Sequence, residues 1–179
     1  MKKSFFLFLI IGFFSCTKDK TESDNLCPNY VKGEVVVGIK NTTSIENVFS
    51  LFDQLNLQID EMNGFFYTSP YPQDSLTNLI SFLNTKSYIN TRDFSASAFV
   101  HYQTGIININ TIFFDMDPDN QQDWVKTEKS LGLTDTKGDT KNIVLKVPAG
   151  QEKYWLDNLK TNSIVTWTEL DCIEQLHPL

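Results

Sequence analysis

The residues best placed to do chemistry stand at positions 115–120, Asp115-Met116-Asp117-Pro118-Asp119-Asn120, where carboxylates recur at alternate positions as at the start of a calcium loop. Counted from Asp115, the twelfth position is Lys126, where such a loop needs a bidentate Glu, and no Gly stands sixth. The same side chains suit a helix start, where Asp117, Asp119 or Asn120 caps free backbone N–H groups and acid meets the positive end of the helix dipole. Capping without a metal is the expectation. His101 and His177 are the only imidazoles and lie far apart in the chain, and no Ser or Cys stands in a nucleophile motif. Asp60-Glu61 and Asp171 with Glu174 read as surface charge, not as acid/base pairs. A sugar-stacking platform at Trp155 is the lesser reading beside a core role, whereas Trp167 could face either way. Phe65, Phe66 and Tyr67 must alternate between two faces. No catalytic residue set, cofactor or metal is expected.

The elements that position these residues occur twice. Residues 34–95 and 110–171 align without a gap at a constant offset of 76. Leu55 and Leu57 fall on Leu131 and Leu133, Pro72 on Pro148, Leu83 on Leu159, Thr85 on Thr161 and Ser87 on Ser163, and conservative pairs such as Val36/Ile112 and Val48/Trp124 extend the match.

In the first copy the β-branched run Val35-Val36-Val37 predicts a buried strand, Thr43 and Glu46 are spaced as a capping box, and Ile45, Val48, Phe49, Phe52 and Leu55 form one helical stripe. Asn63-Gly64 suits a tight hairpin between residues 57–62 and 65–69. Asp74 or Ser75 caps a helix carrying Leu76, Leu79, Ile80 and Leu83, and residues 88–94 form the last strand. The second copy repeats the order, with a helix carrying Trp124 that ends at Gly132, a polar loop at 135–139 and strands at 143–147 and 164–170. The order β-α-β-β-α-β is that of the ferredoxin-like split unit. The expected fold class is therefore α+β, with two tandem ferredoxin-like units at 30–100 and 105–171, each an antiparallel sheet covered by two helices, followed by a C-terminal tail at 172–179.

A hydrophobic content of 41% is that of a folded globular chain. Met1-Lys2-Lys3-Ser4 and the apolar run to Phe14 have the form of a secretory signal, and ten apolar residues cannot cross a hydrocarbon layer of about 30 Å. Phe13-Phe14-Ser15-Cys16 resembles a bacterial lipoprotein cleavage site, although Phe13 and Phe14 depart from the usual residues there. The resemblance implies a signal peptide at 1–15, an acylated Cys16 and anchorage to a bacterial membrane of the cell envelope, the outer membrane being expected. Residues 16–29 then read as a flexible polar tether. Removing Lys2 and Lys3 leaves 13 basic against 22 acidic side chains, a net charge of −9, which repels phosphate backbones and argues against a nucleic-acid partner. In an oxidising envelope compartment Cys27 and Cys172 are expected to form a disulfide, the alternative being two free thiols.

Gly33-Glu34-Val35-Val36-Val37 with Ile39-Lys40 resembles the opening strand of subtilase pro-domains and related peptidase inhibitors, and Leu159, Asn162, Val165, Trp167 and Glu169 resemble their closing helix and strand. The resemblance implies a ferredoxin-like domain that lays its sheet against a protease and its C-terminal tail into the cleft. Here no protease follows, the unit is doubled, and Cys172 sits in the tail. The function expected is a membrane-anchored, non-enzymatic protein-binding module, with an envelope or extracellular protein or peptide as partner. A peptidase inhibitor or folding assistant that inserts residues 170–179 is the alternative.

Overall fold

A computed structural model describes Cys27 and residues 29–136 and 141–173. Cys16, the signal peptide, most of the tether, His177 and Glu174 lie outside the described residues.

The chain runs β1 (Tyr30–Ile39), α1 (Ile45–Gln54), β2 (Gln58–Ser69), a 3-10 turn (Gln73–Ser75), α2 (Leu76–Leu83), β3 (Ser97–Val100), β4 (Ile107–Met116), α3 (Pro118–Leu131), β5 (Thr134–Asp135), β6 (Lys141–Lys146), α4 (Glu152–Lys160) and β7 (Val165–Cys172). The sequence repeat survives in this order: α2 and α4 start 76 residues apart, and the helical stripe at Ile45, Val48, Phe49 and Phe52 is buried as its spacing predicts. Ser44 rather than Thr43 caps α1, its hydroxyl accepting from Asn47 N–H at 3.3 Å. The carbonyl of Thr43 is turned inward to another partner.

The seven strands among the described residues belong to one antiparallel sheet of order β3-β4-β2-β6-β1-β7, with β5 pairing β2 beyond the end of β6. The expectation of two separate sheets is therefore corrected. Every pairing between these strands joins the first repeat to the second: β1 lies between β6 and β7, and β2 lies between β4 and β6. Because β1 and β2 are both antiparallel to β6, they are parallel to each other, and α1 connects them across a strand of the other repeat. The same holds for α2 across β4, α3 across β2 and α4 across β1.

Two local expectations fail for related reasons. Asn63-Gly64 makes no hairpin; β2 runs through it, and its register with β4 shifts between Met62 and Phe65 at Gly64, φ 78°. A bulge and a tight turn use the same tolerance of positive φ, and here the other repeat supplies a neighbouring strand on each side. Residues 88–94 are turns, not a strand. Asn84 clamps them by accepting from Ala96 N–H at 2.7 Å and donating to Ala96 O at 3.2 Å, and the edge strand comes later, at β3.

The core is continuous across the repeats. Trp124 of α3 is fully buried against Tyr67 and Phe113, ring centroids 5.3 and 4.6 Å away, and its indole donates to Tyr67 Oη at 3.2 Å. On α4, Leu156 O accepts from the Thr168 hydroxyl of β7. The helices thus cover the sheet face that carries Val35, Val37, Ile143, Leu145, Phe65, Tyr67 and Phe113. Cys27 and Cys172 stand at disulfide distance, S–S 2.18 Å and Cα–Cα 5.7 Å.

Candidate functional site

Alternation along the strands leaves the opposite sheet face without helices among the described residues. Register places Trp167, Gly38, Asn142 and Asn63 in one row across β7, β1, β6 and β2. Val36 and Val144 pair in the row beside it, and on the far side of the sheet Phe66 pairs with Asn110 and Phe99 with Asn108. Phe99 is 60% exposed, while Val36, Val144, Phe66 and Trp167 are half-buried. Apolar and amide side chains with no layer of described residues above them form a surface suited to contact.

Gly38 shapes this face, because the Trp167 indole lies on it: a Cβ added at 38 would stand 2.2 Å from Nε1 and 2.3 Å from Cε2. The indole is the part that can move. Gly38→Ala is therefore expected to push Trp167 into solvent, read as red-shifted tryptophan emission and faster iodide quenching; an unchanged spectrum would refute this packing.

At one end the face is charged. Arg92 donates to both carboxylate oxygens of Asp60 at 2.9 and 3.0 Å and to Asp115 at 3.1 Å, and Lys146 pairs with Asp60 as well. Arg92 also lies 5.0 Å from the Phe114 ring centroid. The backbone bends to aim it, with Arg92 and Asp93 at φ 50° and 62°. The Arg92 hydrogen bond, reinforced by Lys146, holds Asp60 down at about 2. Beside this cluster, burial and then a hydrogen bond with Asp171 push Glu34 up.

A carboxyl held below its unfolded value of about 3.9 contributes stability above that pH and loses it as pH falls through the folded value, here about 2. Arg92→Ala is thus expected to destabilise the fold by about 1–2 kcal/mol at pH 7, solvent screening included, and by much less at pH 2. Denaturant titrations at both pH values check this, and equal losses would refute it.

The other sequence candidates separate. Asp117 caps α3, accepting from Asn120 N–H at 2.8 Å, with Pro118 and Asp119 in the first turn and Gly132 in the left-handed C-cap, so two of the alternating acids work as a helix start while Asp115 joins the ion cluster. His101 stacks on Tyr102 in the turn between β3 and β4, with Nδ1 3.2 Å from the Thr104 hydroxyl. Asp60 joins the ion cluster, whereas Glu61 accepts from Asn63. Trp155 packs against the core and Trp167 lies on the open face. Glu152 is a residue that composition did not single out: buried at the start of α4, it accepts from Gly33 N–H at 2.7 Å, and backbone N–H groups of Gly150, Glu152 and Gly33 hold its carboxyl down.

A second polar cluster lies on the helix side. Lys141 is fully buried, ion-paired with Asp135, donating to Thr43 O at 2.8 Å and 4.9 Å from the Phe65 ring centroid. Asp135 Oδ1 is buried without a hydrogen-bond partner among the described residues. Burial, then the nearby charges of Glu46 and Asp135, lift Glu128 to about 6. Subtracting the repeat offset from Glu128, Asp135 and Lys141 gives Phe52, Ile59 and Phe65, all fully buried, so three apolar core positions of one repeat are ionisable in the other. That comparison is the sequence signal that would have found them. No family model, curated protein or solved structure matches this chain.

Proposed function

We propose that this chain is a non-enzymatic binding module of the bacterial cell envelope, tethered through an acylated Cys16, that presents the helix-free face of its sheet to a protein partner. The observation that supports it most directly is the one-sided sheet, with Phe99 exposed and Trp167, Val36, Val144 and Phe66 half-buried beside an ordered charged end. The doubled ferredoxin-like unit enters this reading in interleaved form. Taken inward from either edge, β7-β1-β6-β2 and β3-β4-β2-β6 each follow the split βαβ pattern, and the two units share β2 and β6.

The inhibitor alternative is less favoured. Leu170 is paired with Val35 inside β7 and Cys172 stands opposite Tyr30, which leaves less free chain to enter a protease cleft. The test is affinity capture from envelope extracts with the full chain and with Phe66→Asp/Phe99→Asp. A protein retained by the first and lost by the second, both variants folded, is expected. Equal capture would refute the face, and potent inhibition of a subtilase panel would revive the alternative.

A further inference from the structure

The cluster at Lys141 lies on the helix side of the sheet and has no part in the face proposed above. We infer that Lys141 and Asp135 form an intramolecular isopeptide bond, with Glu128 carrying the proton. The amine and carboxyl are already in contact, and the amine has no exposure to water. The amine also donates to Thr43 O and lies 4.9 Å from the Phe65 ring centroid. Tyr67 pairs with Asp135 across the β2–β5 ladder, and its hydroxyl accepts from the Trp124 indole.

The step begins with the proton between the two groups on the carboxyl, which leaves a neutral amine and a neutral acid in contact. The Nζ lone pair then attacks Cγ of Asp135. Glu128 accepts the second proton from nitrogen and returns it to the hydroxyl on the tetrahedral carbon, which leaves as water. One C–N bond forms and one C–O bond breaks; no oxidant, reductant or activated donor is consumed, and Glu128 ends as it began. Glu128 lines one pocket with Ser44 and Leu133, the chain neighbours of Thr43 and Thr134, and its raised carboxyl makes both protonation forms accessible near neutral pH, as a proton carrier requires. The repeat sharpens the point: amine, acid and carrier replace Phe65, Ile59 and Phe52 together. A solitary buried ion pair would need only two of the three, and apolar residues of similar size commonly stabilise as well as such a pair.

The full chain, reduced and digested with trypsin, decides it. A linked chain yields residues 130–137 joined to 138–146, lighter by one water than the two peptides, with no cleavage after Lys141. A succinimide at a neighbouring aspartate would also lose water but would leave that site open to trypsin. Peptides at full mass with cleavage after Lys141 would overturn the bond. Glu128→Gln, with far-UV dichroism and a cooperative melt to establish that it folds, is expected to leave Lys141 free; undiminished linkage in it would overturn the role given to Glu128.

Discussion

Cut between Gln103 and Thr104 and kept reduced, so that Cys27 and Cys172 do not tie the halves together, the chain is expected to give two fragments that do not fold alone and regain the native dichroism and a cooperative melt when mixed in equal amounts. The cause is the topology. No two strands of one repeat are paired with each other among the described residues, so a lone fragment holds strands whose ladder partners are all on the other fragment. Its helices would also have nothing to bridge, because each crosses a strand of the missing half. Without ladder hydrogen bonds or a closed core, the conformational entropy of ordering a fragment, about 1–2 kcal/mol per residue, is not offset. Pairing of two second repeats is further opposed by charge. Lys141 rests on Phe65, its own counterpart in the repeat, so a homodimer of the second half would set two Lys141 side chains against each other where the native core has one lysine and one phenylalanine. Size-exclusion chromatography and thermal melts of each fragment and of the mixture test this. A cooperative melt from an isolated monomeric fragment would refute it.

Much of this molecule was legible at the level of elements. Apolar spacing located α1, α2 and α4, Gly132 marked the end of α3, and the offset of 76 paired the copies. What the pattern could not carry was which strand lies beside which. A buried strand such as Val35-Val36-Val37 is apolar whether its neighbour comes from its own repeat or the other, and Asn63-Gly64 satisfies a bulge as well as a turn. Residues 88–94 look like their counterparts in β7, but Arg92 is drawn down onto Asp60, a contact between segments far apart in the chain that no local rule anticipates. The open face had one legible marker, Trp167, whose orientation strand alternation left undecided. Lys141, Asp135 and Glu128 were hidden because charged residues are read as surface by default, and only position-by-position comparison with Phe65, Ile59 and Phe52 shows a buried Lys141 and two half-buried acids at core positions of the repeat.

Replacing both Cys27 and Cys172 with Ser is expected to lower the unfolding free energy by about 2–5 kcal/mol, the upper value being the chain-entropy estimate for so long a loop. The cysteines are 145 residues apart, so the bridge closes nearly the whole described chain. It also acts where the ladder is weakest. Between the Val35–Leu170 and Tyr30–Cys172 pairs the register of β1 and β7 shifts, and beyond it the described backbone contact is Ile173 N–H to Asn29 O. β7 is an edge strand with one ladder neighbour, and past that irregularity the disulfide is the main tie holding its end to β1. The loss should therefore have two parts: a global one, read as a lower denaturant midpoint with an unchanged slope after correction for the unfolded-state cross-link, and a local one, read as faster amide exchange at Leu170, Cys172→Ser and Ile173 than at Ile59 or Ile143 in the sheet centre. Equal stability of the double variant would remove the bridge as a stabilising element, and a global loss with no local gradient in exchange would show that β7 is held to its end by the ladder alone.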